Sequence, residues 1–195
     1  MKKFLSVAIG AALVAFATPA AAQELVTNGG LETGVLTPFV LTPSGGTSNS
    51  WVDGSAPHSG AFNIKGFDNG PGFSDYAQTL TTTNGVSYTI RVWARSDSGA
   101  GNTLRLGLGA QNSAVFPLTT AYQQFTFTAV AASGSDAVHI YGATCGACGD
   151  YLIDDISVQA AVAPVPTLSE WAMIGLGLAL AGAGAVYVVR RRYTV

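Results

Sequence analysis

An all-β sandwich or jelly roll, set between two apolar terminal segments, is the fold class this sequence predicts. Short stretches rich in Thr, Val, Tyr and Phe recur about every 10–15 residues, and clusters of Gly, Ser, Asn and Asp separate them. Between Gln23 and Gln159 no helical apolar period persists over ten residues. The 195 residues are 48 % apolar and only 10 % charged, with 24 Gly and 8 Pro, which argues against a charge-rich disordered chain, a coiled coil and a collagen-like repeat.

Residues 1–22 read as a secretory signal peptide. Lys2 and Lys3 precede the apolar run 4–17, and Thr18, Pro19 and the small residues Ala20, Ala21 and Ala22 complete the cleavage pattern, with cleavage expected after Ala22. The 14-residue run covers only about 21 Å as a helix, short of a hydrocarbon core of roughly 30 Å.

Residues 23–159 form the β domain. Strands are expected near 36–41, 61–65, 75–83, 86–95, 103–109, 114–118, 122–130, 137–142 and 151–158. In 87–95 the alternation sends Tyr88, Ile90, Val92 and Ala94 to the core and leaves Thr89, Arg91, Trp93 and Arg95 outside. Likewise Leu104, Leu106 and Leu108 oppose Arg105, and Val138 and Ile140 oppose His139 and Tyr141. One outward face is therefore expected to gather Arg91, Trp93, His139 and Tyr141. Planar aromatics beside fixed donors suit sugars, whose C–H faces stack on rings while their hydroxyls take hydrogen bonds. The alternative is that Trp93 and Tyr141 only cover the outer sheet beneath a loop.

The basic residues of this domain are Lys65, Arg91, Arg95 and Arg105, against ten Asp and Glu, a net charge of −6. A phosphate backbone would be repelled, so no nucleic-acid partner is expected.

Residues 160–170 read as a short, stiff linker and a sorting motif. Residues 171–189 follow as an uncharged run of 19, about 28 Å of helix and so long enough to span a membrane. Arg190, Arg191 and Arg192 open the tail 190–195. By the positive-inside rule they stay cytoplasmic, which puts the domain on the periplasmic side of an inner membrane.

Two resemblances add to this reading. Val165-Pro166-Thr167-Leu168-Ser169-Glu170-Trp171, the apolar helix and the Arg cluster, in that order, resemble the IPTL-CTERM sorting signal of Gram-negative bacteria, with Val165 for the usual Ile and Ala172 for the usual Gly. The resemblance implies an exosortase-type transpeptidase as partner, removal of the helix and tail, and delivery to the cell surface or extracellular matrix. In the domain, Asn28-Gly29-Gly30-Leu31-Glu32-Thr33-Gly34, His58-Ser59-Gly60, Gln78-Thr79-Leu80, the Tyr88–Arg95 strand, the segment 122–127 and the segment 151–158 occur in order. They resemble carbohydrate-binding modules of families four and nine, galactose-binding-like jelly rolls. That resemblance implies a binding cleft reached by Arg91, with His139 and Tyr141 on a lining strand. Here the sequence departs from those modules, whose clefts often carry several tyrosines: Tyr141 and Trp93, with Trp51, Phe67, Phe73 and Tyr76 expected on loops or strand edges, are the residues to replace them.

The same modules carry a structural Ca²⁺, and Glu32 and Asp154 sit on the matching positions. Paired first and last strands would bring hard oxygen ligands together there; otherwise Asp154 and Asp155 cap a turn. Cys145 and Cys148 are the only cysteines. In an exported chain they are expected as a disulfide worth about 2 kcal/mol, with a metal site through His139, Cys145, Cys148 and Asp150 or free thiols as the alternatives. No enzyme is expected. Asp53, Asp68 and Asp75 look like turn formers in Gly-rich loops, not a carboxylate pair flanking a cleft, and neither His58 nor His139 has a nucleophile setting. The expected function is non-catalytic binding of envelope or matrix polysaccharide; the alternatives are a structural or adhesive surface protein without a defined sugar site, and a hydrolase fragment.

Overall fold

The structure, a computed structural model, describes residues 22–44, 47–69, 72–97, 99, 101–144, 149–161 and 168–192. They divide into two compact units, the Ala22–Val162 body and the C-terminal segment.

The first unit is a sandwich of two antiparallel sheets. Its strands are β1 Val40–Ser44, β2 Thr47–Asp53, β3 Asn63–Asn69, β4 Phe73–Thr81, β5 Ser87–Ser96, β6 Thr103–Leu108, β7 Gln111–Asn112, β8 Phe116–Pro117, β9 Gln123–Val130, β10 Ser135–Ala143 and β11 Tyr151–Ala160. One sheet runs β1-β4-β10-β6-β7, with β8 also on β6. The other runs β2-β3-β11-β5-β9. The alternation expected in β5, β6 and β10 is present: Tyr88, Ile90, Val92, Ala94, Leu104, Leu106, Leu108, Val138 and Ile140 are buried between the sheets.

Tyr151 ties the two layers together. Its ring lies against Gly66 of one sheet and Gly142 of the other, where an added Cβ would come within 2.3 and 2.5 Å of the ring. Its hydroxyl meets that of Tyr76 at 2.9 Å, and Tyr76 also hydrogen-bonds Ser50. A polar pair of this kind is tolerated in a core because its hydrogen-bonding capacity is used.

Several expectations need correction. The strand expected at 36–41 lies at Val40–Ser44, and the polar stretch Thr47–Asp53 is a strand that was not anticipated. Asp53, Asp68 and Asp75 belong to strands, not turns, and Tyr76 is fully buried instead of lying at an edge. First and last strands do not pair: β1 pairs with β4, and β11 lies between β3 and β5. The N-terminal segment reaches β11 by the bridge Glu24↔Gln159 and by backbone bonds from the Leu25 amide to the Val158 carbonyl and from the Ile156 amide to the Gly29 carbonyl. There the Glu24 carboxylate accepts from the Val158 amide at 2.8 Å and the Ser157 hydroxyl at 2.6 Å.

In the second unit, α1 spans Leu168–Arg192, and Trp171–Arg190 has a mean hydropathy of 2.0 over 20 residues. That is about 30 Å of helix, long and apolar enough to cross a membrane. The signal-peptide expectation, the Cys145 and Cys148 pair, and Pro166 and Thr167 lie outside the described residues; Leu168 and Trp171 belong to the first turn of α1.

Candidate functional site

The four residues expected on one face do not share it. Arg91 and Trp93 are on β5, in one sheet, whereas His139 and Tyr141 are on β10, in the other. Since the inward positions of both strands fill the same core, the outward side chains of the two sheets point to opposite sides of the sandwich. The period of each strand gives in and out; it does not give sheet membership.

On the β5 side, Trp93 is covered. The His58 ring stacks on it with centroids 3.9 Å apart, and His58 also meets Tyr122 edge-on at 5.2 Å. The loop carrying His58 is pinned from β11: Asp155 Oδ2 lies 2.6 Å from His58 Nδ1, and Asp154 Oδ2 accepts from the amides of His58 at 2.8 Å and Ser59 at 3.1 Å. The register shift in β11 between Asp154 and Ser157 lifts Asp155 out of the ladder, with a φ of 46°. Burial raises the Asp154 carboxyl above its ordinary value, and the Asp155 charge adds to that, against amide hydrogen bonds that lower it. Tyr122, desolvated and near Asp154, is pushed up to about 12 and stays a hydroxyl, donating to the Ala56 carbonyl at 3.1 Å. Arg91 sits across from Thr126 and Ser157. This face therefore fits the reading in which a loop covers the outer sheet.

The β10 side is different. Tyr141 is directly opposite Asp75 on one neighbour strand and Arg105 on the other. Arg105 holds its guanidinium carbon 4.5 Å from the Tyr141 ring centroid and 5.7 Å from that of Phe73. Phe73 meets Tyr141 edge-on at 5.0 Å. His139 lies parallel to Tyr141 at 5.5 Å, and its Nδ1 is 2.9 Å from Asp75 Oδ2. A Cβ at Gly107, across from His139, would stand 2.7 Å from Asn112 Oδ1, 3.1 Å from the Gln111 carbonyl and 3.3 Å from His139 Cβ, so a side chain there would crowd its neighbours. Phe73, Thr103, Arg105, Val115 and Tyr141 line a groove of about 160 Å³. Half-burial raises the Tyr141 hydroxyl, as does the Asp75 charge, while Arg105 lowers it.

So Tyr141 lines the groove with His139 beside it, Arg91 and Trp93 lie on the other sheet, and Phe73, Asp75 and Arg105 complete the group. Arg105 was legible as an outward cation on an apolar alternation, and the pattern Phe73-Ser74-Asp75-Tyr76 carried the strand signal for the other two.

Glu32, expected with Asp154 as a cation ligand, accepts from the Ala61 amide at 2.9 Å and the Phe62 amide at 3.3 Å. Glu32 and Asp154 thus grip the same loop from two sides. Among the described residues, no three His, Cys, Asp or Glu side chains stand together in a geometry for metal binding.

Residues 163–192 match the IPTL-CTERM motif. Among curated protein sequences none matches this chain. In solved structures the sandwich resembles the CBM22-1 xylan-binding domain of Paenibacillus barcinonensis Xyn10C, at 12 % identity and a TM-score of 0.58, covering 74 % of this chain and 98 % of that one. It also resembles TmCBM61 in complex with β-1,4-galactotriose, at 17 % identity and a TM-score of 0.55, covering 71 % and 99 %. The same fold occurs in the Stig cyclase Fisc of Fischerella sp. TAU, at 17 % identity and a TM-score of 0.55, covering 74 % and 100 %. The chain therefore carries an IPTL-CTERM sorting motif behind a jelly-roll sandwich of the kind found in carbohydrate-binding modules.

Proposed function

We propose that this is an exported surface module that binds glycan without transforming it, through the groove bounded by Phe73, Arg105 and Tyr141. One observation carries the reading: the rings of Phe73 and Tyr141 and the Arg105 guanidinium line an open depression, and the His139–Asp75 pair stands beside Tyr141 on the same face. Sugars need that mixture of apolar wall and fixed polar groups. The xylan- and galactotriose-binding modules support the reading through their fold, and the cyclase shows why fold alone does not decide between binding and catalysis. The groove is smaller than the roughly 300–1,000 Å³ of typical small-molecule pockets, which favours one or two units of a chain lying along the surface. The same small size favours the second reading, a structural or adhesive brick without a defined sugar site.

The IPTL-CTERM motif and the apolar helix support export and membrane anchoring. Arg190, Arg191 and Arg192 would hold the tail in the cytoplasm and the sandwich in the periplasm. An exosortase-type transpeptidase would then release the sandwich to the surface or matrix.

A structural Ca²⁺ is part of this proposal. Three carboxylates, Glu32, Asp154 and Asp155, bond to the loop 58–62, with His58 facing them. These carboxylates already accept from loop amides and, among the described residues, form no three-residue metal cluster, so a hard cation held by Glu32 and Asp154 would draw most of its ligands from backbone carbonyls and water. Bound there, it would offset the charge that burial disfavours on Asp154.

A glycan array probed with the full chain in detergent tests the binding reading. Saturable binding to at least one polysaccharide is expected. No binding at millimolar sugar would leave the structural reading.

A further inference from the structure

We propose that the glycan taken by this groove carries negative charge, and that Arg105, held over the Tyr141 ring, reads a carboxylate or sulfate on the sugar unit seated at its guanidinium; the inference rests on the glycan-binding reading above. Arg105 is the unneutralised cation of the site. Among the described residues, the salt bridges of Lys65 and Arg95 go to Asp97 and Asp150, and none includes Arg105. The acid nearest in its cross-strand row is Asp75, on the far side of β10. Two strand spacings separate their backbones, roughly 10 Å. Asp75 is also taken, both its oxygens lying within 3.1 Å of His139 Nδ1.

The rings explain how the charge is held. Guanidinium stacks well on aromatic faces and is weakly hydrated, so Tyr141 and Phe73 keep it at the groove without supplying an acceptor. A guanidinium offers five N–H donors and no acceptor, and among the described residues no carboxylate is paired with those of Arg105. A neutral hydroxyl satisfies one at a time. A carboxylate or sulfate takes two in parallel as charge-assisted bonds, roughly twice as strong as neutral ones. The same geometry changes the role of Tyr141, because the guanidinium lies over a ring face that a stacking sugar would use. A general basic patch is not the explanation, since the domain as a whole carries −6 and would repel a polyanion at long range.

Matched pairs of polymers test this with the full chain in detergent. Polygalacturonate, alginate and glucuronoxylan are each compared with their methyl esters, and dextran sulfate with dextran, by calorimetric titration. Acid forms are expected to bind about tenfold or more tightly than their esters, or dextran sulfate than dextran; the first result assigns carboxylate, the second sulfate. Arg105→Gln should abolish the preference and Arg105→Lys should keep part of it, with melting temperatures unchanged. Equal binding of charged and uncharged partners would overturn the inference and leave glycan binding intact. A preference that persists in a stably folded Arg105→Gln variant would also overturn it, and no binding to any polymer would remove both readings.

Discussion

The imidazole of His58 stacks on the Trp93 indole with centroids 3.9 Å apart and planes 14° from parallel. A loop thus occupies the surface that an outward tryptophan would offer to a ligand. Trp93→Ala is expected to cost about 1–3 kcal/mol of stability through lost packing. It should change glycan affinity less than about twofold, since rigid, distant sites couple weakly. Urea unfolding and titration on the same preparation check both numbers.

The contact of Tyr151 with Gly66 and Gly142 leaves no room for a methyl group. Gly66→Ala or Gly142→Ala forces the ring or a strand to move and should cost about 1–3 kcal/mol by overpacking. Tyr151→Ala removes the ring instead and should cost about 3–5 kcal/mol. The two kinds of variant should both lower the urea midpoint, the second more than the first.

Asp154 gives a pH signature. Its folded-state pKa is raised above the ordinary 3.8, chiefly by burial. The folded protein therefore holds this proton more tightly than the unfolded chain. The contribution to stability is complete below about pH 3.8 and is lost as pH rises through the raised value. The stability of the wild type relative to Asp154→Asn is expected to decline from pH 3 to pH 7 in urea unfolding with a chelator present. If Ca²⁺ binds here, adding it at 100 times its Kd should restore about 2.7 kcal/mol at pH 7. Unchanged melting with and without the ion would remove calcium from the account.

What the sequence showed and what it hid have physical causes. Strands whose inner face is Leu, Ile and Val, such as β5, β6 and β10, announced themselves by alternation. The edge strand β2 did not, because Thr-Ser-Asn-Ser-Trp-Val-Asp carries few apolar residues for the core. The larger miss concerned partners: β5 and β10 carry the same pattern, yet one pairs with β9 and β11 and the other with β4 and β6. Alternation fixes a residue's side of its own strand, and only long-range pairing decides which sheet that strand joins. The four residues expected on one face therefore divide between two, and Asp75, expected in a turn, stands mid-row beside His139.

The C-terminal segment makes a separate prediction. Intact-mass analysis of protein released from cells should show a chain that begins after Ala22 and lacks everything beyond the Pro166-Thr167-Leu168 region. Released protein that retains Arg190, Arg191 and Arg192 would contradict processing, and protein found only in the membrane would point to a permanent anchor.

Placing the binding surface on the β10 sheet is tested most directly by glycan titration of two variants that strip opposite faces. Phe73→Ala with Tyr141→Ala should weaken binding by about tenfold or more, in line with the usual weight of buried aromatic anchors. Arg91→Ala with Trp93→Ala should leave it within about twofold. If the second pair abolishes binding and the first does not, the site lies on the other side of the sandwich and this account of it is wrong.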